Sequence, residues 1–553
     1  MEKVWLKSYP PGVPASVDPH EFSSLGHLFE QSCERFADRA AYLNMGGVLT
    51  YRELDRLSGH FAAYLQQTLK LPRGARVALM MPNLLQYPVC LMGVLRAGYV
   101  VVNVNPLYTA RELVHQLNDA GADVIVILEN FATTLQEALP QLRVKHVVVT
   151  SVGEMLGVLR GTLIDFVVRH VKKKVPPWQI AHAVRFSEAL AAGRGERLAR
   201  VEVSHQDLAF LQYTGGTTGL AKGAMLTHGN IIANLQQAHA WLAPFINGTH
   251  EVIVTALPLY HIFALTANCL TFIKLGATNV LITNPKDIPA LVAELARHRF
   301  TIFTGVNTLF NALLNHSGFA KLDFSGLHIT LGGGMAVQAS VARRWKEVTG
   351  KPLIEAYGLT EASPAVAINP LNVEEFSGSI GVPISSTELA IRDDEGRDLQ
   401  VGEAGELCVR GPQVMLGYYN RADETAAVMT VDGFLRTGDI AVMDEKGFFY
   451  IVDRKKDMIV VSGFKVYPSE VESVISIMPG VLEVAVIGVP DARSGEAVAA
   501  FVVKRDPALT AEDVVRHCHA NLTKYKVPHR VEFRAELPKT NVGKILRRAL
   551  RDG

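Results

Sequence analysis

Between Leu49 and Val149, short apolar runs rich in β-branched residues (Val77 to Met81, Val100 to Val104, Val124 to Leu128, Val147 to Val149) alternate with longer stretches such as Tyr51 to Leu69 and Ala110 to Ala120. A short run without polar interruption fits a strand buried on both faces. The longer stretches repeat their apolar positions every three or four residues, which is the period of a helix with one apolar stripe. The alternation predicts β-α-β units and a parallel sheet. It resumes at Val252 to Leu257, Ala277 to Ile282, Thr301 to Phe303 and His328 to Leu331. From Ser379 to Tyr450 the texture changes to short alternating strands, Glu388 to Arg392, Glu406 to Arg410 and Phe448 to Val452, with turns at Asp394-Glu395-Gly396 and Asp432-Gly433. This predicts a small β subdomain over about 379–450. The charged run Val452-Asp453-Arg454-Lys455-Lys456-Asp457 follows, either a solvated face or a joint. Beyond it, a helix from Pro468 to Met478, strands at Val484 to Val489 and Val498 to Val503, a helix from Ala511 to Lys524 and a strand at Val531 to Phe533 form an α+β unit of about 100 residues, enough for an independent domain. The expected fold class is α/β. A large domain spans 1–452, a joint 453–457 and a smaller α+β domain 458–553.

One insertion stands apart. Met155 to Val175 carries Leu156, Leu159, Leu163, Phe166, Val167 and Val171 at helical spacing, with Arg160, Arg169 and Lys172 to Lys174 among them. This predicts a basic amphipathic helix stopped by Pro176-Pro177. Such a helix can lie in the headgroup layer of an anionic membrane or pack on the protein's own surface. Periodicity allows both.

A chain of 553 residues exceeds what one core supports and should fold as about three units. Lys and Arg number 55 against 54 Asp and Glu, so no overall field attracts nucleic acid, and electrostatics must be local. Cys33, Cys90, Cys269, Cys408 and Cys518 stand singly without a CxxC pair, which argues against a zinc site or a disulfide framework and fits a reducing cytoplasm. The first ten residues lack an apolar signal-peptide core. The most hydrophobic stretch, Tyr87 to Val104, is interrupted by Pro88 and Arg96, so neither a signal peptide nor a membrane span is expected.

The densest chemistry lies from Tyr213 to Ala224. The segment Tyr213-Thr214-Gly215-Gly216-Thr217-Thr218-Gly219-Leu220-Ala221-Lys222-Gly223-Ala224 combines four glycines, three threonines and a lysine. Glycines let backbone N–H groups approach an anion, threonines add hydroxyl donors and Lys222 adds a mobile charge, so the loop suits a triphosphate. It is not a Walker A loop, because Ala221 replaces the second glycine and Gly223 follows the lysine where Ser or Thr would hold magnesium. In Glu355-Ala-Tyr-Gly-Leu-Thr-Glu361, Glu361 is the candidate magnesium carboxylate, Tyr357 can stack on a base, Gly358 permits close approach and Thr360 offers another phosphate donor. The same string also fits a helix start capped by Thr360. The Gly332-Gly333-Gly334 turn would leave a flat backbone surface for an adenine ring or an acyl chain. Asp439 suits a ribose acceptor or an ordinary surface position. Lys544 stands on a turn formed by Pro538, Asn541 and Gly543, beside Arg547, Arg548 and Arg551, and can deliver charge.

Taken in order, the phosphate loop, YGLTE, GFLRTGD, DRKKD and PKTNVGKILRR resemble the adenylate-forming superfamily over essentially the whole chain. Leu257-Pro-Leu-Tyr-His261, Val461 to Pro468 and the basic insertion resemble its bacterial long-chain fatty-acid CoA ligase branch. The resemblance implies ATP, Mg²⁺ and coenzyme A, an acyl-AMP intermediate, and a C-terminal domain that moves between two half-reactions. It assigns the phosphates to Thr214, Thr217, Thr218 and Lys222 within the Tyr213 to Lys222 loop. Magnesium falls to Glu361, and the carboxylate and α-phosphate to Lys544. Asp439 and Arg454 take the ribose, with Tyr357, Gly333 and Gly334 around the adenine. It further implies a hinge at Lys456 and a pantetheine tunnel lined by Gly463 and Phe464. His261 sits at the mouth of the acyl pocket, or is a satisfied histidine at a strand end. Lys465 departs from the polar uncharged residue common in this branch. The implied setting is cytoplasmic, with peripheral contact to the anionic inner membrane and a homodimer possible.

Overall fold

The computed structural model describes residues 3–214, 221–246, 250–491, 493–540 and 543–551. The β-α-β alternation resolves into two large sheets. One has seven strands in the order Val184–Arg185, His146–Thr150, Val124–Leu128, Arg76–Met80, Val100–Asn103, Leu208–Thr214 and Lys222–Thr227, parallel except for the last pair. The other has nine, running from Val382–Pro383 through Ala365–Ile368, Ile354–Gly358, Ile329–Gly332, Ile302–Gly305, Val252–Thr255, Thr278–Leu281 and Ala40–Asn44 to Gly47–Thr50. Its centre is parallel and its edges are antiparallel.

The apolar run Tyr87 to Val104 becomes a helix, Gln86–Arg96, buried along its length from Gln86 to Leu95, followed by the central strand Val100–Asn103. Its hydrophobicity is that of a core element, and no described helix is long and apolar enough to cross a membrane. All five cysteines are free and buried.

The β subdomain is a four-stranded antiparallel sheet, Glu388–Arg392, Gly405–Arg410, Leu435–Met443 and Phe449–Arg454. The third strand has no counterpart in the sequence reading. Its last strand continues to Arg454, where Arg454 faces Asp439 in register, so 453 and 454 of the expected 453–457 segment belong to this sheet. The C-terminal unit places Pro468–Ser476 and Ala511–Asn521 against a five-stranded sheet whose long hairpin is Val481–Asp491 with Gly495–Lys504. Arg547 binds Glu472 through two nitrogens (3.2 and 2.8 Å), clamping the last helix, Arg547–Arg551, onto this domain.

In the basic insertion, the helix runs over Val158–Phe166 and continues as a wider turn over Val167–Val171. It ends before Pro176-Pro177, with Lys173 in a left-handed conformation and Lys172 to Lys174 beyond its end. One face docks on the protein. A side chain at Gly153 or Gly161 would overlap the backbone of the other, Asp165 accepts from Ser151 Oγ (2.6 Å) and Gly153 N (2.8 Å), and Arg169 forms a two-pronged pair with buried Glu129 (2.8 and 2.9 Å). The opposite face is bare: Val158 is 85 % exposed, Leu159 90 %, Leu163 63 % and Phe166 56 %.

Candidate active site

The strands that flank the glycine- and threonine-rich segment pair as a hairpin at the edge of the seven-stranded sheet, Thr214 opposite Lys222 across Leu208–Thr214 and Lys222–Thr227. Gly215, Gly216, Thr217, Thr218 and Gly219 lie outside the described residues. Lys222 forms an ion pair with Glu424 and lies 5.2 Å from the centre of the Tyr418 ring. The Tyr213 hydroxyl donates to Asp119 (2.7 Å), which also binds Arg421 (2.8 Å), and its ring underlies Gly223. Tyr213 therefore braces the hairpin from outside the chamber described next.

A chamber, about 120 Å³ in volume, lies beyond this hairpin. It runs along one face of the Ile302–Gly305 and Ile329–Gly332 strands, past Ile302, Thr304, Ile329 and Leu331, and reaches beyond their carboxyl ends at Gly333 and Gly334, where open α/β sheets place their ligands. The opposite wall is the helix His228–Leu242, started by a capping box between Thr227 and Asn230. At one end stand His261, Gly333, Gly334, Tyr357, Gly358, Thr360 and Lys544, and the wall continues to Trp241, Leu242 and Leu371. The string containing Glu361 is not a helix start. Ile354–Gly358 is a strand and Thr360–Ala362 a single tight turn, with Gly358 so close to the Pro364 carbonyl that a Cβ would overlap it.

Charged groups converge on this end. Asp439, on Leu435–Met443, accepts from the Tyr357 hydroxyl (2.5 Å) and pairs with Arg454 Nε (3.2 Å). Glu361 accepts from the Tyr418 hydroxyl (2.7 Å). Lys544 arrives from the far C-terminus on a turn in which its N–H donates to Thr540 Oγ1 (3.1 Å), while Thr308 Oγ1 of the large domain donates to the Gly543 carbonyl (3.2 Å). Burial, reinforced by the Arg454 charge, lowers the Lys544 ammonium to about 8, against the opposing pull of Asp439 and Glu361. Burial and the Lys544 charge lower His261 to about 3, so it is neutral at physiological pH, with Nδ1 accepting from Phe263 N (3.3 Å). Behind the Gly332 to Gly334 turn, Glu355 accepts from Val337 N (2.9 Å), and burial raises its carboxyl to about 7.

Lys456 lies between two anchored neighbours. Lys455 N donates to Gly438 O (3.0 Å), and its ammonium binds Asp394 (2.7 Å) and Glu406 (3.3 Å) of the large domain. Asp457 accepts from Arg551 (3.0 Å) and lies 3.5 Å from Arg547, both in the C-terminal helix. Gly463 and Phe464 do not line the chamber. Phe464 is 57 % exposed and stacks on Tyr525 at 4.8 Å between ring centres.

Sequence reasoning missed Tyr418, Glu424, Asp119, Arg421 and Thr308, the partners that hold Glu361, Lys222, Tyr213 and the Lys544 turn. Arg421 and Asp119 lie 302 positions apart, and no spacing in the chain connects them.

This arrangement of phosphate hairpin, carboxylates and inserted lysine defines an adenylate-forming enzyme. The chain belongs to the AMP-binding enzyme family, matching its main model over residues 29–419 and the AMP-binding enzyme C-terminal domain over 470–544. It is 59 % identical over 552 residues to the long-chain-fatty-acid–CoA ligase of Escherichia coli O157:H7, covering 100 % of this chain and 98 % of that one. Among solved structures, ATP-bound MatB from Rhodopseudomonas palustris matches with a TM-score of 0.81 at 28 % identity, covering 95 % of this chain and 98 % of that one. The anthranilate CoA ligase AuaEII in complex with anthranoyl-AMP shares the fold, with a TM-score of 0.85 at 24 % identity over 97 % of this chain and 98 % of that one.

Proposed function

We propose that this chain joins a long-chain fatty acid to coenzyme A through an acyl-AMP intermediate, releasing pyrophosphate and then AMP. The observation that carries the reading is the largely apolar chamber opening directly onto Lys544, with Glu361 and Asp439 close enough to act on its charge. A saturated chain needs apolar walls, and its carboxylate needs a cation at the mouth. The relative at 59 % identity is a long-chain-fatty-acid–CoA ligase, which supports the same substrate class.

In the first step a carboxylate oxygen attacks the α-phosphorus of ATP, and the bond to the bridging α–β oxygen breaks. Thr214 and Lys222 hold the phosphates together with the loop between them, Lys222 leaving Glu424 to do so. Lys544 bridges the fatty carboxylate and the α-phosphate as negative charge concentrates there. Asp439 and Arg454 hold the ribose, while Tyr357 and the Gly333-Gly334 backbone flank the adenine. Mg²⁺ would be held by Glu361, oriented by Tyr418, and would neutralise phosphate charge. One carboxylate is a suitable protein contribution to an ion that takes its other ligands from phosphate oxygens and water. In the second step the C-terminal domain turns about Lys456, withdrawing Lys544 and bringing Gly463 and Phe464 toward the site. The deprotonated thiol then attacks the acyl carbon and AMP departs with the oxygen it shared.

The test is CoA-thioester formation across acetate, octanoate, palmitate, oleate and coumarate. Palmitate and oleate should give the highest kcat/KM; good turnover of coumarate with poor palmitate would sink the substrate assignment.

Lys544 also sets a pH dependence. Its ammonium is charged below about 8 and neutral above, so kcat/KM for pyrophosphate release should fall as pH rises through that value. Lys544→Arg keeps the charge and should remove that alkaline limb even if its peak rate is lower. An unchanged limb would place the titration elsewhere.

The bare face of the 158–171 helix and the lysines beyond its end support a peripheral site on an anionic bilayer, where the fatty acid is collected. Leu159, Leu163 and Phe166 would enter the headgroup layer while Lys172 to Lys174 meet the phosphates. At about 1 kcal/mol per lysine near such a surface, changing all three to Glu removes that attraction and adds repulsion, so the binding constant for anionic liposomes, read by flotation, should fall by at least about a hundredfold. Unchanged flotation removes the helix from the proposal.

A further inference from the structure

We propose that Thr266 equips the acyl chamber to take acids whose chain carries an oxygen, as a hydroxyl or keto group, beyond the carboxylate. The inference rests on the acyl-CoA ligase reading above and narrows its substrate class.

Thr266 lines the chamber, is 1 % exposed, and its Oγ1 has no hydrogen-bond partner among the described residues. The polar side chains around it are engaged. Thr271 Oγ1 donates to the Thr266 carbonyl (2.8 Å), Thr304 and Asn268 bond to each other (2.8 and 3.0 Å), and Asn234 on the helical wall donates to the Ala365 carbonyl (2.9 Å). A helical threonine commonly turns its hydroxyl back to a carbonyl one turn earlier. Here the backbone from Ala264 to Leu270 follows the wider π-type turn, and the Thr266 hydroxyl makes no such bond.

A buried hydroxyl without a partner is costly, and a saturated chain lying across it offers none. An oxygen on the chain satisfies it, a hydroxyl by donating or accepting and a ketone by accepting. Thr266 follows His261 by five residues and stands on the Ala264–Leu270 turn, outside the group of residues gathered around Lys544. The matching oxygen therefore belongs to the body of the chain.

The experiment measures kcat/KM for thioester formation by wild type, Thr266→Val and Thr266→Ser. The substrates are palmitate and a set of monohydroxy-palmitates with the hydroxyl at successive positions. Valine keeps the volume and removes the hydrogen bond; serine keeps the hydroxyl. At one hydroxyl position or a narrow range of positions, the valine variant should lose about tenfold while palmitate changes by less than about twofold and serine restores the rate. Equal losses on palmitate and the hydroxy acids would make Thr266 a packing residue. A flat response across all isomers would mean that water satisfies the hydroxyl. Either result overturns the inference while the ligase reading stands. If wild type forms no palmitoyl or hydroxy-palmitoyl thioester, the substrate assignment of the preceding section fails and this inference fails with it. A melting temperature within a few degrees of wild type confirms that both variants fold.

Discussion

Lys544→Ala is expected to lower acyl-AMP formation by about 10²–10³-fold while leaving the conversion of supplied acyl-AMP to thioester largely intact. The size follows from removing a fixed cation from an enclosed site where negative charge develops. The separation of the two steps follows from where the lysine comes from. It belongs to the C-terminal domain, held by the Arg547–Glu472 clamp, and touches the large domain through the Gly543–Thr308 contact. Alanine leaves both of these in place, so the loss should be chemical rather than structural. ATP–pyrophosphate exchange measures the first step, and release of coenzyme A ester from synthetic acyl-AMP measures the second. Equal losses in both would contradict the assigned role.

Lys456→Pro should do the reverse, slowing the thioester step by about tenfold or more while acyl-AMP formation stays within about twofold. Lys455 is fastened to the large domain by three contacts, and Asp457 to the small one by two arginines. On the proposed hinge, rotation between them falls at Lys456, where proline fixes φ and restricts the residue before it. The backbone bonds of the joint are donated by 455, 457 and 458, so the substitution removes none of them. A thioester step at wild-type speed would place the pivot elsewhere.

The parallel strands were legible because burial on both faces leaves an unbroken apolar run, as in Val124–Leu128. Leu435–Met443 was missed because Arg436, Gly438 and Asp439 interrupt its alternation, Gly438 with a positive φ of 74°. Those interruptions are the site itself, since this strand delivers Asp439 to Tyr357 and Arg454. Local glycine and threonine chemistry pointed to the phosphate hairpin, to Glu361 and to Lys544. Tyr418 and Arg421 carried no such mark, because a partner for a distant carboxylate is defined only when the chain folds. Tyr213 belonged to a motif as a letter but serves behind the hairpin as a brace. The 155–175 insertion gave its helical period and its lysines. Which face would be bare depended on the Gly153–Gly161 contact and the Glu129–Arg169 pair, neither visible in a period.

On the membrane role proposed for the 158–171 helix, that glycine contact would separate uptake from turnover. A methyl group at either position would act as a wedge, prising the oily helix from its seat without reaching the chamber. A chain altered there would still process fatty acid dispersed in detergent yet starve beside the same acid dissolved in a bilayer.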